Sequence, residues 1–176
     1  DRFAHIEHCP FEGKRIFFEN AGGALTLKSV VETSAKFSAI PDNQGRDNKA
    51  SKALVDIIKQ SKEDMSSFFG IDRGTFFVGE SGTEILFRLI RAAILGSKAG
   101  GVVLGSTLEH PASVSACEKW SVLGSKAYIS VNHDNETGSI DAEAYLEAMR
   151  PDVRVATIIH TSPVTGMTVD VAKIAG

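Results

Sequence analysis

Only two cysteines, Cys9 and Cys117, occur in the 176 residues, alongside one tryptophan and five prolines. Two thiols so far apart make no disulfide framework, so both are expected reduced and at least partly buried. Charge of one sign is equally scarce. A formal net charge of −3, with a pI near 6.0, gives no electrostatic footprint for nucleic acid or an anionic membrane. No apolar run reaches membrane-spanning length, and Asp1-Arg2-Phe3-Ala4-His5 opens no signal-peptide core; the expected location is the cytoplasm. His5, His8 and Cys9 lack a second ligand cluster, so no metal site is expected. The chain also has no nucleophile elbow, and its glycine-containing loop lacks both G-x-G-x-x-G spacing and a following P-loop Lys.

What is present is an ordinary globular composition, 43% hydrophobic and 23% charged, enough for one sizeable core. Arg15-Ile16-Phe17-Phe18 reads as a short strand that stops at Glu19-Asn20-Ala21-Gly22-Gly23. Thr26 then stands where it could cap a helix through Leu27, Val30, Val31, Ala35 and Phe37. A long amphipathic helix is expected from Asp47 to Phe69, closed by Gly70. Beyond it, strand candidates Thr75 to Val78, Gly101 to Leu104, Ala127 to Val131 and Val153 to His160 alternate with helices at Pro111 to Leu123 and Asp141 to Met149. For the second of these, Asp141 is the N-cap, and Ile140 and Tyr145 occupy staple positions. The alternation predicts an α/β fold: a three-layer sandwich around a largely parallel sheet, with sites at the carboxyl ends of strands.

Three such ends carry unusual polar residues. In Gly79-Glu80-Ser81-Gly82-Thr83-Glu84, Ser81 and Glu84 form a capping-box pattern, while Gly82 and Thr83 could hold a phosphate at the helix start. Glu109-His110-Pro111-Ala112-Ser113 offers a His able to stack on a planar ligand or exchange a proton, or simply a surface His near a helix start. His160-Thr161-Ser162-Pro163-Val164-Thr165-Gly166 is a string of hydroxyls suited to a polar ligand or to turns. Parallel neighbouring strands would turn the three loops toward one crevice.

In order and spacing these motifs resemble the class V aminotransferase family of pyridoxal-phosphate enzymes, which includes cysteine desulfurases and selenocysteine lyases. Phe17 to Gly22 is similar to the family's opening strand and turn, and Asn43-Gln44-Gly45-Arg46 stands in the place of its Asn-x-His-Arg segment. Ser81 to Glu84 resembles its Gly-Ala-Thr-Glu phosphate loop, Glu109-His110 its Glu-His pair, and His160 to Gly166 its Ser-Asn-x-x-Gly strand end. The resemblance implies the large domain of a fold type I enzyme, incomplete in this chain. Residues 1–45 would line the site entrance and join the small domain, and residues 46–176 would form the front part of the cofactor-binding domain. It implies pyridoxal 5'-phosphate as cofactor, with Gly82, Thr83, His110 and Ser162 binding it. His110 would also be catalytic, lying over the ring. Asn20, Ala21, Gly22 and Arg46 would lie at the amino-acid substrate, Asn43 to Arg46 shaping its entrance. A homodimer is implied as well.

Two departures stand out. Pro163 occupies the position where many members have Asn, and so lacks an amide side chain and a backbone N–H. No Lys matches the family's Schiff-base Lys, which lies further along; Lys98, Lys126 and Lys173 read as surface charges. The implied activity is a lyase or transferase acting on an amino acid, with this chain supplying half the site. A catalytically silent relative and a Rossmann-like phosphate-ligand domain are the alternatives.

Overall fold

The computed structural model describes residues 2–41 and 45–176, divided into two compact units, Asp1–Phe76 and Phe77–Gly176. Asn43 and Gln44 of the expected entrance segment lie outside the described residues.

In the first unit, β1 (His8–Cys9) and β2 (Gly13–Lys14) form an antiparallel pair with His8 opposite Lys14. The expected strand at Arg15 to Phe18 does not form. Its backbone makes one further cross-chain bond, from Arg15 N–H to the Glu7 carbonyl (2.9 Å), and Ile16 and Phe18 are exposed. A strand exists only where a partner takes its N–H and C=O groups, and residue type alone does not supply one. Helix α1 (Lys28–Ser38) begins after Leu27, with no side-chain cap. Thr26 is not the cap because its residue belongs to a different pairing: its carbonyl accepts the Ala4 N–H (2.8 Å), beside a bridge between Phe3 and Leu27. Helix α2 (Lys49–Phe69) is capped by Asn48, whose side chain accepts the Ser51 N–H at 2.8 Å. It ends on Gly70 at φ 63°, a left-handed conformation that glycine adopts without a Cβ penalty.

The second unit runs α3 (Gly82–Gly96), β3 (Val102–Ser106), α4 (Pro111–Leu123), β4 (Ala127–Val131), α5 (Ala142–Ala148), β5 (Val153–Ala156) and α6 (Val171–Ala175). Its three strands form a parallel sheet in the order β4-β3-β5. All five residues of the central β3 are buried, which is why it reads as a continuous Val-Val-Leu run rather than an alternating one. Successive side chains leave opposite faces of a strand. Val103 accordingly packs with Ile90 and Ile94 of α3 and Ala116 and Cys117 of α4. Leu104 packs on the other face with Ile140, Tyr145 and Val169, covered by Val171 and Ile174. The result is three layers, helix on sheet on helix, as the alternation predicts. Full burial of side chains such as Val103 and Leu104 contributes roughly 2 kcal/mol each.

Two strand expectations change. Thr75 to Val78 joins no ladder among the described residues, and Phe77 and Val78 are exposed. Val153 to His160 is a strand only as far as Ala156. One further bond, Thr157 N–H to the Leu104 carbonyl (2.8 Å), extends its pairing before the chain turns. Lys126 also departs from expectation: it is 8% exposed, with Nζ donating to the Gly124 carbonyl at 3.3 Å at the end of α4. Lys98 and Lys173 are exposed, the latter paired with Glu143 at 2.6 Å. Cys117 is fully buried and Cys9 half-buried, both as free thiols.

Candidate active site

The loop before α3 holds both of its possible roles at once. Ser81 Oγ accepts the Glu84 N–H at 3.2 Å, and Glu84 Oε2 accepts the Glu80 N–H at 2.9 Å. The reciprocal bond thus reaches one residue further back than in the standard capping box. It passes over Gly79, where a Cβ would meet that carboxylate at 2.7 Å and Ile85 at 2.8 Å, so only glycine permits the closure. The cap commits the N–H groups of residues 80 and 84. Those of Gly82 and Thr83, and the Thr83 hydroxyl, have no partner among the described residues. Nothing lies within 4 Å of where a Gly82 Cβ would stand. Two free N–H groups and a hydroxyl at the positive end of a 15-residue helix, with open space over Gly82, fit a phosphate group.

His110 is the N-cap of α4, and its Nδ1 accepts the Ala112 N–H at 3.1 Å. Acceptance at Nδ1 places the ring proton on Nε2. The ring is exposed at the carboxyl side of β3, with Pro111 fixing the first turn behind it. Beside it, Glu109 is 9% exposed, and its Oε1 accepts the Ser106 hydroxyl at 3.0 Å and the Ile159 N–H at 2.7 Å. Burial pushes this carboxyl above its ordinary range, against the opposing pull of those two hydrogen bonds. Glu109, His110 and Ser113 line a pocket of about 330 Å³ with Leu86 and Ile90 of α3 and Thr157 to Ile159 beyond β5. Leu86 lies one turn after Thr83, so α3, His110 and the segment beyond β5 share this space, while Gly82, Thr83 and Ser162 are not among its lining residues.

Ser162, three residues beyond Ile159, is 2% exposed, and its Oγ accepts the N–H groups of Val164 (3.3 Å) and Thr165 (3.2 Å). It shapes the turn, with its own O–H hydrogen left for another group. Asn20, Ala21, Gly22 and Arg46 belong to the first unit, where all four are exposed. There the Gly22 N–H bonds the Glu19 carbonyl (3.2 Å), and the Arg46 N–H donates to Ser51 Oγ (3.2 Å).

Sequence reasoning missed what sits beneath the site. Thr157 offers its carbonyl to the Tyr145 hydroxyl (2.7 Å) and its hydroxyl to the Cys117 thiol (3.8 Å). Thr107 Oγ1 accepts the backbone N–H of His133 (2.8 Å) and shares a second hydrogen bond with its Nδ1 (2.7 Å), fastening the loop after β3 to the segment just past β4. No local pattern signals contacts 12 to 40 residues apart, because sheet order creates them.

Against known proteins, the model of the aminotransferase class-V family matches residues 16–176. The chain belongs to that family. It is 24% identical over 118 residues to a cysteine desulfurase of Nostoc sp. (strain PCC 7120), covering 66% of this chain and 29% of that one. A cysteine desulfurase of Trichormus azollae matches to the same extent. The chain therefore spans about three tenths of the length of these curated relatives. Among solved structures, the apo cysteine desulfurase of Thermococcus onnurineus NA1 superposes with a TM-score of 0.78 at 17% identity, over 90% of this chain and 40% of that one. The Escherichia coli cysteine desulfurase CsdA gives 0.71 at 19% identity, over 88% and 40%. A C-DES variant with glycine covalently linked to its pyridoxal-phosphate cofactor gives 0.75 at 17%, over 90% and 41%. The fold of the class V aminotransferase chain is thus that of fold type I pyridoxal-phosphate enzymes, represented here by part of the domain.

Proposed function

We propose that this class V aminotransferase chain supplies the phosphate-holding and ring-stacking half of a site that uses pyridoxal 5'-phosphate to transform an amino acid, as in a cysteine desulfurase-like lyase or an aminotransferase. The observation that carries the reading is the set of free donors at Gly82 and Thr83, on a helix that lines one pocket with His110. When bound, that cofactor draws electrons from the α-carbon of an attached amino acid.

The residues of this chain prepare that chemistry. The N–H groups of Gly82 and Thr83 and the Thr83 hydroxyl hold the phosphate, aided by the α3 dipole, worth on the order of 1 kcal/mol for an anion at a helix start. Ser81 and Glu84 keep the helix start closed while they do so. The His110 ring, held at Nδ1 by Ala112, lies against the face of the cofactor ring and carries its proton on Nε2. Ser162 has its hydroxyl hydrogen available for a polar atom of the cofactor. The family resemblance assigns Asn20, Ala21 and Gly22 to the substrate, with Arg46 the candidate for its carboxylate.

The covalent attachment requires an amine near the ring, and Lys126, although buried, does not provide it. It immediately precedes the amino end of β4, opposite the carboxyl ends where the site lies. By the family resemblance the attaching Lys belongs to a longer, full-length protein, a homodimer by this reading.

The test is spectroscopic. Full-length protein should show a visible absorbance band from bound cofactor that borohydride removes, leaving the cofactor on one Lys. Thr83→Val should weaken cofactor binding about ten-fold, the usual scale for losing a hydrogen bond to a charged group. Protein that shows no such band when mixed with the cofactor would overturn the reading.

A further inference from the structure

We propose that Glu109 is a positioning residue, a carboxylate brace that ties the carboxyl ends of β3 and β5 together and thereby sets the orientation of His110. The inference rests on the functional reading above.

Three pieces of backbone meet at this one side chain. Ser106 is the last residue of β3, and its hydroxyl donates to Glu109 Oε1 at 3.0 Å. Ile159 lies three residues beyond β5, past the last bond to β3, and its N–H donates to the same oxygen at 2.7 Å. Without Glu109 that amide would have no partner among the described residues. The third piece is the start of α4. The Glu109 N–H bonds the Ser106 carbonyl at 3.3 Å, and the next residue, His110, accepts the Ser113 and Val114 N–H groups on its carbonyl at 2.8 and 3.2 Å. The turn from Ser106 to Glu109 therefore decides where the cap begins, and the bond to Ile159 decides where the turn sits against β5.

Burying a carboxylate is costly unless hydrogen bonds repay it. A neutral apolar residue would fill the same space more cheaply, but it could not hold the Ile159 amide. Both bonds fall on Oε1; Oε2 makes none among the described residues, and Glu109 itself lines the pocket that His110 borders. The brace depends on an acceptor oxygen at a set reach, and negative charge is not what it requires.

That distinction makes the proposal testable in full-length, cofactor-loaded protein by two readouts: hydrogen exchange of the Ile159 amide and the visible circular dichroism of bound cofactor. Glu109→Ala should speed exchange at Ile159 about ten-fold or more, as expected for a lost buried hydrogen bond, and should reduce the dichroic band per bound cofactor. Glu109→Gln, which keeps an acceptor oxygen, should restore both. Glu109→Asp keeps the charge but loses the reach, and should behave like Ala. It also serves if the Ala variant fails to fold. His110→Ala should change the dichroism and leave Ile159 protected. A Glu109→Ala or Glu109→Asp protein with faster Ile159 exchange but an unaltered dichroic band would show a purely structural role and overturn the proposal. So would a Gln variant that rescues neither readout. Absence of any cofactor band in the unaltered protein would sink the functional reading itself, whereas a band indifferent to Glu109 sinks this inference alone.

Discussion

Cys117 and Cys9 show how packing sorts two chemically identical side chains. Cys117 has no exposed surface, sits among Ile90, Ile94, Val103 and Ala116, and has its thiol pushed upward by burial. The thiolate is the reacting form, so a raised value lowers reactivity in addition to the steric barrier. Cys9 is only half-buried, in a two-residue strand. Brief treatment of native protein with a thiol-alkylating reagent near pH 8 should modify Cys9 and spare Cys117, with both modified after denaturation; peptide mass mapping gives the result. Fast labelling of Cys117 in folded protein would contradict the packing described here. The same scale explains Gly105. A Cβ there would stand 2.6 Å from the Tyr128 hydroxyl and 3.2 Å from Thr157 Oγ1, so the fourth residue of β3 is glycine to admit its neighbours' side chains.

For whole elements, legibility depended on where the stabilising partner lies. Helices α2, α3, α4 and α5 were readable because caps and apolar period are local: Gly70, the Ser81-Glu84 pair, Pro111 and Asp141 each sit beside the turn they govern. Strands were readable when paired in the sheet, as the buried β3 and the partly exposed β4 beside it are. Thr75 to Val78 has the same apolar look but joins no ladder among the described residues, and nothing in its own residues says so. The candidate site divides the same way. Gly82, Thr83 and His110 are candidates drawn from motif and helix start, whereas the contacts of Glu109, Thr157, Thr107 and His133 arise from the order β4-β3-β5. The double use of the α3 start allows its parts to be separated. Ser81→Ala should lower unfolding stability by about 1 kcal/mol, the usual value of an N-cap. Thr83→Val should leave stability within about 0.5 kcal/mol, as for a surface substitution. Chemical denaturation of both variants makes the comparison, and a Thr83 variant as destabilised as the Ser81 one would show that the hydroxyl serves the fold.

At the scale of the molecule, the two units differ in how much they bury. The core clusters draw on the second unit alone, and Ser51 is the one residue of α1 and α2 described as buried. Backbone protection should follow. Amides of Val103 to Gly105, central in the sheet with both faces covered, should exchange slowest, and those of α1 fastest among the helices of ten residues or more. Hydrogen exchange read by NMR or mass spectrometry checks the ranking; equal protection in α1 and β3 would contradict it. One bond described above carries a use of its own. Because His110 Nδ1 accepts the Ala112 N–H, a proton arriving at that nitrogen must break the bond and leave the amide to water. The chemical shift of Ala112 is therefore an internal gauge of how the His110 ring is held, legible from the backbone of a helix.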